Sequence, residues 1–390
     1  MTPGARIAAA IAILDQTLAG ENAERALTNW GRSNRYAGSG DRAAVRDLVY
    51  DALRCRRSFA ALGGAETGRG LMLGCVRAGG GDLAVLFSGE GHAPPPVMPG
   101  EEGAVPQGAD DLDLPDWIIP KLAARFGPDL PALAHALRRR APVFLRVNTA
   151  RGGPEAAQRA LTDEGILSQP HPLATTALEV TAGARRIQTS QSYLAGLVEL
   201  QDAASQAVVE ALPLRDGMRV LDHCAGGGGK TLAMAARARL TLFAHDANPG
   251  RMRDLPLRAT RAGVHVTLTG APEATGPYDL VLADAPCSGS GSWRRDPQGK
   301  WALTEERLAQ IGALQDQILD RIAPMVAPSG VLAYATCSLL DEENGGRIAG
   351  FLGRHPDWSM TQALHFSPID GGDGFYLALL GRSRLKDAQP

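Results

Sequence analysis

The sequence lacks several features that would assign it to a common class of protein. No apolar run approaches the roughly 20 residues of a membrane-spanning helix, and the N-terminus lacks the charged and then apolar layout of a signal peptide. We therefore expect a cytoplasmic protein that does not bind a membrane. The five cysteines are odd in number and show neither a CxxC spacing nor a Cys/His ligand pattern, which argues against disulfides and against a metal site.

A strong positive charge is missing as well. The formal net charge of −2 argues against a protein that coats nucleic acid indiscriminately, because neutralised phosphates supply most non-specific affinity. Arginines are nevertheless clustered, as at Arg294 and Arg295. Such a pair is by default a solvated surface, and its alternative role is contact with an RNA backbone.

The spacing of apolar residues divides the chain into four parts. Residues 1–87 have the three- and four-residue spacing of a small helical domain, and residues 88–110 are dense in Pro and Gly, which predicts a linker. Residues 111–198 combine short helices and strands in a small α+β region. From residue 199 to 385, strand-like and helical runs alternate, which is typical of a doubly wound α/β sheet with ligands at the carboxyl ends of its strands.

A glycine-rich turn joins a predicted strand to a helix in VLDHCAGGGGKT, residues 220–231. Such a turn binds either a phosphate or the nucleoside and methionine parts of S-adenosylmethionine. A phosphate-binding GxxxxGK[ST] loop would need glycine where this chain has Cys224. Asp246 ends the next strand, where a carboxylate can bind ribose hydroxyls or cap a helix, and the glycine turn upstream favours ribose. The turn residues predicted to hold the cofactor are Cys224, Ala225, Gly226, Gly227, Gly228, Gly229 and Lys230.

Two cysteines follow two other apolar strands. Cys287 lies in DAPCSGSG after YDLVLA, and Cys337 lies in YATCS after GVLA. An isolated free cysteine is most often an inert core residue, but both of these lie in polar turns at the edge of the sheet that carries ligands in this fold class. A thiolate at that edge could add to C6 of a cytosine and make C5 nucleophilic, while Asp284 could interact with N3.

Residues 222–231, 284–291 and 334–338 resemble the three signature segments of the RNA 5-methylcytosine methyltransferases, and the bacterial ribosomal RNA branch of the RsmB (Sun/Fmu) type fits best. The resemblance implies an S-adenosylmethionine-dependent methyltransferase with Cys337 as nucleophile and Cys287 as the residue that promotes release. It also implies that Asp284 contacts the cofactor, together with the glycine turn and Asp246. The expected target is an extruded cytosine, because a stacked base hides C6.

The resemblance covers nearly the whole chain. SGDRAAVRDLVYDALR is similar to the NusB-like, RNA-binding N-terminal domain of that branch, and PVFLRVNTARG, VELQDAASQAV and GDGFYLALL are similar to later landmarks. The expected architecture is an all-α NusB-like domain, a small α+β region and a Rossmann-like class I methyltransferase domain. The expected partner is small-subunit ribosomal RNA, and we expect a monomer.

The chain departs from the family pattern at two places. Gly226 and Gly227 replace an Ala-Pro pair, which predicts a more flexible turn and weaker cofactor binding. Thr269 and Gly270 stand where an aspartate usually contacts the adenine region. Asn344 matches a family Glu-Asn pair, but an acidic run that opens a helix is also an ordinary preference, so we predict no site there.

Three rival functions remain open from the sequence. The first is the same chemistry on transfer RNA, since only the N-terminal domain favours ribosomal RNA. The second is a catalytically weak RNA-binding or ribosome assembly factor, for which the altered glycine turn is the best argument. The third, a nucleotide-hydrolysing protein, is disfavoured because it leaves the two cysteines unexplained.

Overall fold

The structure, a computed structural model, describes residues 1–383 and divides the chain into two compact units. One unit comprises residues 1–140 and 293–303, and the other comprises residues 141–292 and those from 304 onward. The domain boundaries expected after residues 87, 110 and 198 stay predictions. The expected end of the last domain at residue 385 lies outside the described residues.

The first unit is helical. Thr2 caps its first helix by accepting a hydrogen bond from Ala5 N, and Pro3 has the fixed φ that suits a first helical position. Ile13 and Leu14 of this helix are buried in the core of the unit. With helices and strands numbered in chain order, the helices of this unit are α1 (Pro3–Leu18), α2 (Ala23–Ser33), α3 (Ser39–Arg54), α4 (Arg56–Gly63), α5 (Gly68–Ala78), α6 (Leu83–Leu86), α7 (Ile119–Phe126), α8 (Leu130–Arg138) and α14 (Pro297–Ala302).

Segment 293–303, which contains α14, completes this helical unit from a distant part of the sequence. Lys300 is buried and donates a hydrogen bond of 2.9 Å to the carbonyl of Arg54. Trp301 Nε1 donates to the carbonyl of Leu53 over 2.6 Å, and Gln298 exchanges hydrogen bonds with the backbone before α2. The segment therefore supplies partners for carbonyls at the C-terminal end of α3, which the helix itself leaves unpaired.

The Pro/Gly-rich segment between α6 and α7 has defined contacts within the same unit. Arg69 donates hydrogen bonds to Glu101 and to the carbonyls of Pro95 and Pro96. Ala104 N donates to the carbonyl of Ala61 over 2.8 Å. A single arginine thus fixes the course of a segment whose own side chains cannot form a core.

The second unit begins with a four-stranded antiparallel sheet in the order β2-β3-β1-β4. Leu145 on the central strand lies opposite Leu178 on one side and Leu200 on the other. The strands are β1 (Val143–Val147), β2 (Leu167–Pro170), β3 (Ala177–Ala182) and β4 (Val198–Leu200), with helices α9 (Pro154–Asp163) and α10 (Gln191–Leu194) between them.

A seven-stranded sheet forms the rest of this unit, in the order β10-β11-β9-β8-β5-β6-β7. Neighbours from β7 to β9 are parallel, and β11 is antiparallel to β9 and β10. The strands are β5 (Arg219–Asp222), β6 (Thr241–Ala244), β7 (Thr267–Leu268), β8 (Tyr278–Asp284), β9 (Val326–Thr336), β10 (Trp358–Phe366) and β11 (Phe375–Arg382), and the helices are α11 (Ala203–Glu210), α12 (Gly229–Ala235), α13 (Leu255–Ala262), α15 (Glu305–Ile322) and α16 (Gly345–Arg354).

The central strands of this sheet are buried on both faces, whereas the edge strands β7 and β10 are largely exposed. Leu221, Val281 and Leu332 pack in one core cluster, while Val220 and Leu280 pack in another, so alternate residues of each strand face opposite layers. The strand order reverses between β5 and β8, and a crevice opens at such a point beyond the carboxyl ends of the strands. The predicted Rossmann-like α/β fold is confirmed.

Candidate active site

The two cysteines at the ends of β8 and β9 are in contact. Their Sγ atoms lie 3.2 Å apart, within hydrogen-bonding distance for sulfur. The contact follows from the sheet, because β8 and β9 are adjacent and parallel, with Asp284 paired to Ala335 just before the two turns. The structure therefore brings together Cys287 and Cys337, which are 50 residues apart in the sequence.

The surroundings of Cys287 favour its neutral thiol. The hydrogen bond with Cys337 and burial raise the pKa of Cys287 well above its usual value, and the negative charge of Glu343 acts in the same direction. Cys287 is thus suited to donate a hydrogen bond to a neighbouring sulfur rather than to act as a thiolate itself.

Glu343 is a buried residue of this site that sequence reasoning missed. Its carboxylate accepts hydrogen bonds from Ser288 N over 2.7 Å and from the hydroxyl groups of Ser288 and Ser338. Gln315 on α15 donates to the same carboxylate over 3.2 Å. The acidic run after Cys337 was visible in the sequence, but it gave no sign that one member would turn inward between the two cysteine segments.

Lys230, the last residue of the predicted cofactor turn, lies beside the acid of the first cysteine segment. Its Nζ atom is 2.8 Å from Asp284 Oδ2 and lies over the ring of Phe375. Burial alone would lower the pKa of Lys230, but the attraction of Asp284, its hydrogen bond and smaller contributions from Cys337 and Asp222 together raise the pKa. A cation is therefore maintained next to Asp284 and close to Cys337.

The glycine turn has two residues in the left-handed region, Gly226 with a φ of +52° and Gly228 with a φ of +81°. Asp246 Oδ2 accepts a hydrogen bond from Gly226 N over 3.0 Å, and Arg258 donates to the carbonyl of Gly227. Arg146 donates to the carbonyl of Gly229 over 2.7 Å. The turn that we expected to be flexible is thus held from outside by three side chains, and the expectation of weaker cofactor binding stays a prediction.

A cavity of about 300 Å³ opens at the carboxyl ends of β5 and β6. Of the residues predicted to hold the cofactor, Cys224 and Asp246 line it, and the remaining turn residues and Asp284 do not. Asp246 is 4% exposed and accepts hydrogen bonds from two backbone amides, so it is fixed in place. The other lining residues are His223, Ala247, Asn248, Arg251, Pro286, Leu314, Gln317, Ile318 and Arg321. A fixed carboxylate beside apolar walls suits the ribose and the base of a nucleoside.

Comparison with known proteins assigns the α/β unit to a family. Residues 209–382 match the family model described as 16S rRNA methyltransferase RsmB/F, and residues 114–188 match the ferredoxin-like domain of RsmF/B-like methyltransferases. The chain belongs to the RsmB/F methyltransferase family. The resemblance noted in the signature segments is confirmed.

The RsmB/F chain has relatives among curated proteins and solved structures. The ribosomal RNA small subunit methyltransferase B of Erwinia tasmaniensis is 32% identical over 68% of this chain, which spans 66% of that relative. The crystal structure of PH0851 matches 98% of this chain and 99% of its own with a TM-score of 0.75 at 21% identity. NSun6 from Pyrococcus horikoshii with SFG matches 69% of this chain and 98% of its own, with a TM-score of 0.60 at 17% identity. At these identities the two structures support the fold alone.

Two histidines of the RsmB/F chain lie side by side at the carboxyl ends of β5 and β6, and one of them, His223, lines the cavity. His223 and His245 are buried with their ring centroids 4.9 Å apart, and His245 Nδ1 lies 3.0 Å from the carbonyl of Thr269. Burial lowers the pKa of His223 to about 4. Within the described residues, His223 Nδ1 and His245 Nε2 have no hydrogen-bond partner. His223 therefore lines the cavity as a neutral ring whose Nδ1 atom is buried.

The region that usually carries an adenine-contacting aspartate holds an ion pair in this RsmB/F chain. Thr269 and Gly270 follow β7, and the nearby Glu273 forms an ion pair of 2.6 Å with Arg321. Arg321 lines the cavity. An acidic side chain therefore lies near the cavity but is already bound to an arginine.

The two arginines proposed to contact RNA are placed differently. Arg294 is buried, and its carbonyl accepts a hydrogen bond of 2.9 Å from Arg54 Nε. Arg295 is exposed. Both belong to the segment that completes the helical unit, and their contact with RNA stays a prediction.

Residues 1–383 contain neither a cluster of metal ligands nor a membrane-spanning helix. No group of three or more His, Cys, Asp or Glu side chains in that range is arranged to hold a metal ion. No helix there combines the length and the apolar character that crossing a membrane would take.

Proposed function

We propose that this protein is an S-adenosylmethionine-dependent RNA methyltransferase that methylates C5 of a cytosine in small-subunit ribosomal RNA. The observation that carries the proposal is the contact between Cys287 and Cys337, 3.2 Å apart at the ends of two adjacent parallel strands. Membership of a family described by 16S rRNA methyltransferases supports the choice of substrate.

Cys337 is the proposed nucleophile. Its thiolate forms a bond from sulfur to C6 of the cytosine, and the electron pair of the C5–C6 double bond moves towards C5. Asp284 holds a proton at N3 and so stabilises the charge that develops on the ring. The ammonium group of Lys230, 2.8 Å from Asp284, keeps this carboxyl in place and adds positive charge near Cys337.

Cys287 is the proposed release residue. After methyl transfer a solvent base takes the C5 proton, and the electron pair of the C5–H bond re-forms the C5–C6 double bond. The C6–S bond breaks at the same time, and its electron pair returns to the sulfur of Cys337. Because its pKa is raised, Cys287 is present as a thiol and can donate a hydrogen bond to the departing thiolate. Cys337 thus acts first, as the thiolate that adds to C6, and Cys287 acts later, as the thiol that assists its release.

The cofactor residues are assigned to the crevice. S-adenosylmethionine, when bound, supplies an electrophilic methyl group. We assign its binding to Asp246, Asp284 and the turn from Cys224 to Lys230, because the turn begins at a cavity that contains a fixed carboxylate and that Cys224 and Asp246 line.

The helical unit is the proposed NusB-like RNA-binding part, and Arg295 is the better exposed of the two arginines proposed to contact RNA. We further propose a monomer that works in the cytoplasm, where its ribosomal RNA substrate would be assembled. Light scattering of the purified protein tests the monomer, since a dimer would double the mass.

The experiment is methyl transfer from labelled S-adenosylmethionine to RNA from cells that lack this protein. Wild type should label small-subunit ribosomal RNA, Cys337→Ala should be inactive, and Cys287→Ala should accumulate as a covalent RNA adduct. Cys75→Ala, a cysteine of the helical unit, serves as the matched control and should behave as wild type. If the label appears in transfer RNA instead, the substrate is transfer RNA. If the protein binds RNA but transfers no methyl group, the result supports the alternative of a ribosome assembly factor.

A further inference from the structure

One carboxylate connects the two cysteine segments of the site. Glu343 is fully buried, with a relative exposure of 0%. Its Oε2 atom accepts hydrogen bonds from the hydroxyl groups of Ser288 and Ser338, the residues that follow Cys287 and Cys337 directly. Its Oε1 atom accepts from Ser288 N and from Gln315 Nε2. The distance between the two thiols therefore depends on a side chain that belongs to neither segment.

The donors around Glu343 require an acceptor with two equivalent oxygens. Four donor groups converge on the carboxylate, and an ionised carboxylate is the side chain that only accepts hydrogen bonds at both of its atoms. A glutamine at this position would replace one carboxylate oxygen by an NH₂ group, which would face donor groups and could not accept their hydrogen bonds. A buried donor that loses its partner costs about 1–3 kcal/mol.

The backbone of Glu343 is fixed from the adjacent strand. Its carbonyl accepts a hydrogen bond of 2.7 Å from Tyr334 on β9. The next residue, Asn344, accepts from Thr336 and donates to the carbonyl of Ser338 over 2.9 Å. These bonds fix the position of the Glu343 carboxylate, and its hydrogen bonds to Ser288 and Ser338 in turn fix the positions of the two cysteines.

The charges around the two thiols differ. Glu343 accepts a hydrogen bond from the backbone N of Ser288, the residue after Cys287, whereas the ammonium group of Lys230 pairs with Asp284. The further ionisable groups of this cluster are Asp284 beside Lys230, and Tyr334, Arg347 and Asp316 near Glu343. The negative charge of Glu343 thus opposes ionisation of Cys287, together with the hydrogen bond from Cys337 and burial.

We propose that Glu343 is a positioning residue that holds the two cysteine segments in contact and places a negative charge beside Cys287, so that Cys337 acts as the nucleophile. The proposal rests on the methyltransferase function proposed above. It assigns the different roles of two chemically identical side chains to a residue that touches neither substrate nor cofactor.

The test compares Glu343→Gln and Glu343→Asp with wild type in the full-length protein. The rate of alkylation of Cys287 by iodoacetamide is measured against pH by peptide mass spectrometry, and kcat and KM of methyl transfer are measured on ribosomal RNA. In Glu343→Gln the alkylation midpoint of Cys287 should move to lower pH, because the opposing charge is gone. In Glu343→Asp the charge remains, so the midpoint should stay, while kcat falls at least about tenfold because the shorter side chain no longer reaches both serines.

Asp341→Asn is the matched control, since Asp341 is an exposed carboxylate two residues away, and it should change neither quantity. A Glu343→Gln protein that folds and keeps the wild-type midpoint would overturn the charge role. If Glu343→Gln does not fold, Glu343→Asp decides, because wild-type kcat in that variant refutes the positioning role. Absence of methyl transfer in wild type would refute the proposed function, whereas the alkylation profile would still test Glu343.

Discussion

Alanine at Gly228 should destabilise the glycine turn far more than alanine at its neighbour Gly229. Gly228 has a φ of +81°, and a Cβ added there would lie 2.1 Å from Leu255 Cδ1. The left-handed backbone costs an L residue about 1–2 kcal/mol, and overpacking a core typically costs about 1–3 kcal/mol. Leu255 is fully buried and cannot swing into solvent, so the two costs add to about 2–5 kcal/mol.

Gly229 provides the matched control. It is the first residue of α12, and a Cβ added there meets Gln201 Nε2 at 3.6 Å, an ordinary contact. Alanine in a helix is favoured over glycine by about 1 kcal/mol, so Gly229→Ala should be as stable as wild type or slightly more stable.

The assay is urea unfolding of both variants, with calorimetric titration of S-adenosylhomocysteine. If the cost falls on the turn alone, Gly228→Ala keeps most of its stability but binds at least about 30-fold more weakly, since each 1.4 kcal/mol is a factor of ten. If the strain instead destabilises the whole domain, the free energy of unfolding of Gly228→Ala falls by about 2–5 kcal/mol. Equal stability and equal affinity in the two variants would refute the geometry of the turn.

Two further predictions concern buried ionisable groups. His223→Leu should remove an acid-sensitive contribution: because the pKa of His223 is lowered from 6.5 to about 4, protonation favours the unfolded chain, and wild type should lose stability as pH falls from about 6.5 towards 4. The loss of stability from His223 amounts to about 2 kcal/mol between pH 7 and 5. It is measured as the difference between variant and wild type, because Asp222, whose pKa is raised to about 7, has the opposite effect on stability in both proteins. Stability curves of the two proteins that run parallel over this pH range would contradict the prediction. Lys230→Met should lower the free energy of unfolding by about 1.5–3 kcal/mol, the worth of a charge-assisted hydrogen bond, and should lower methyl transfer at least about tenfold. The control is Arg159→Met, which removes an exposed cation on α9. Unchanged transfer in Lys230→Met would remove this cation from the proposed mechanism.

Much of the α/β unit was predictable because its signals are local. Each strand of the parallel part is a short apolar run that ends in a polar turn, and parallel strands bring their carboxyl ends to one edge. The proximity of Cys287 and Cys337 follows from that rule once β8 and β9 are neighbours. The glycine turn could be located in the same way, from its composition and its position after β5.

The parts that sequence reasoning missed depend on contacts between distant segments. Glu343 has a special role only because two turns meet around it, and nothing in an acidic run tells which member points inward. Arg146 and Arg258 hold the glycine turn from β1 and α13, and neither is near the turn in sequence. Likewise, the course of a Pro/Gly-rich segment depends on Arg69, which lies on another helix.

The discontinuity of the helical unit bears on how the protein is made. Segment 293–303 is synthesised after the first 140 residues and after most of the α/β unit has left the ribosome. At a synthesis rate of about 5–20 residues per second, the carbonyls of Leu53 and Arg54 wait roughly 12–50 seconds for Trp301 and Lys300. The N-terminal part therefore cannot finish folding as an autonomous module in the order of translation. A fragment that ends at residue 140 would represent a nascent intermediate rather than a domain.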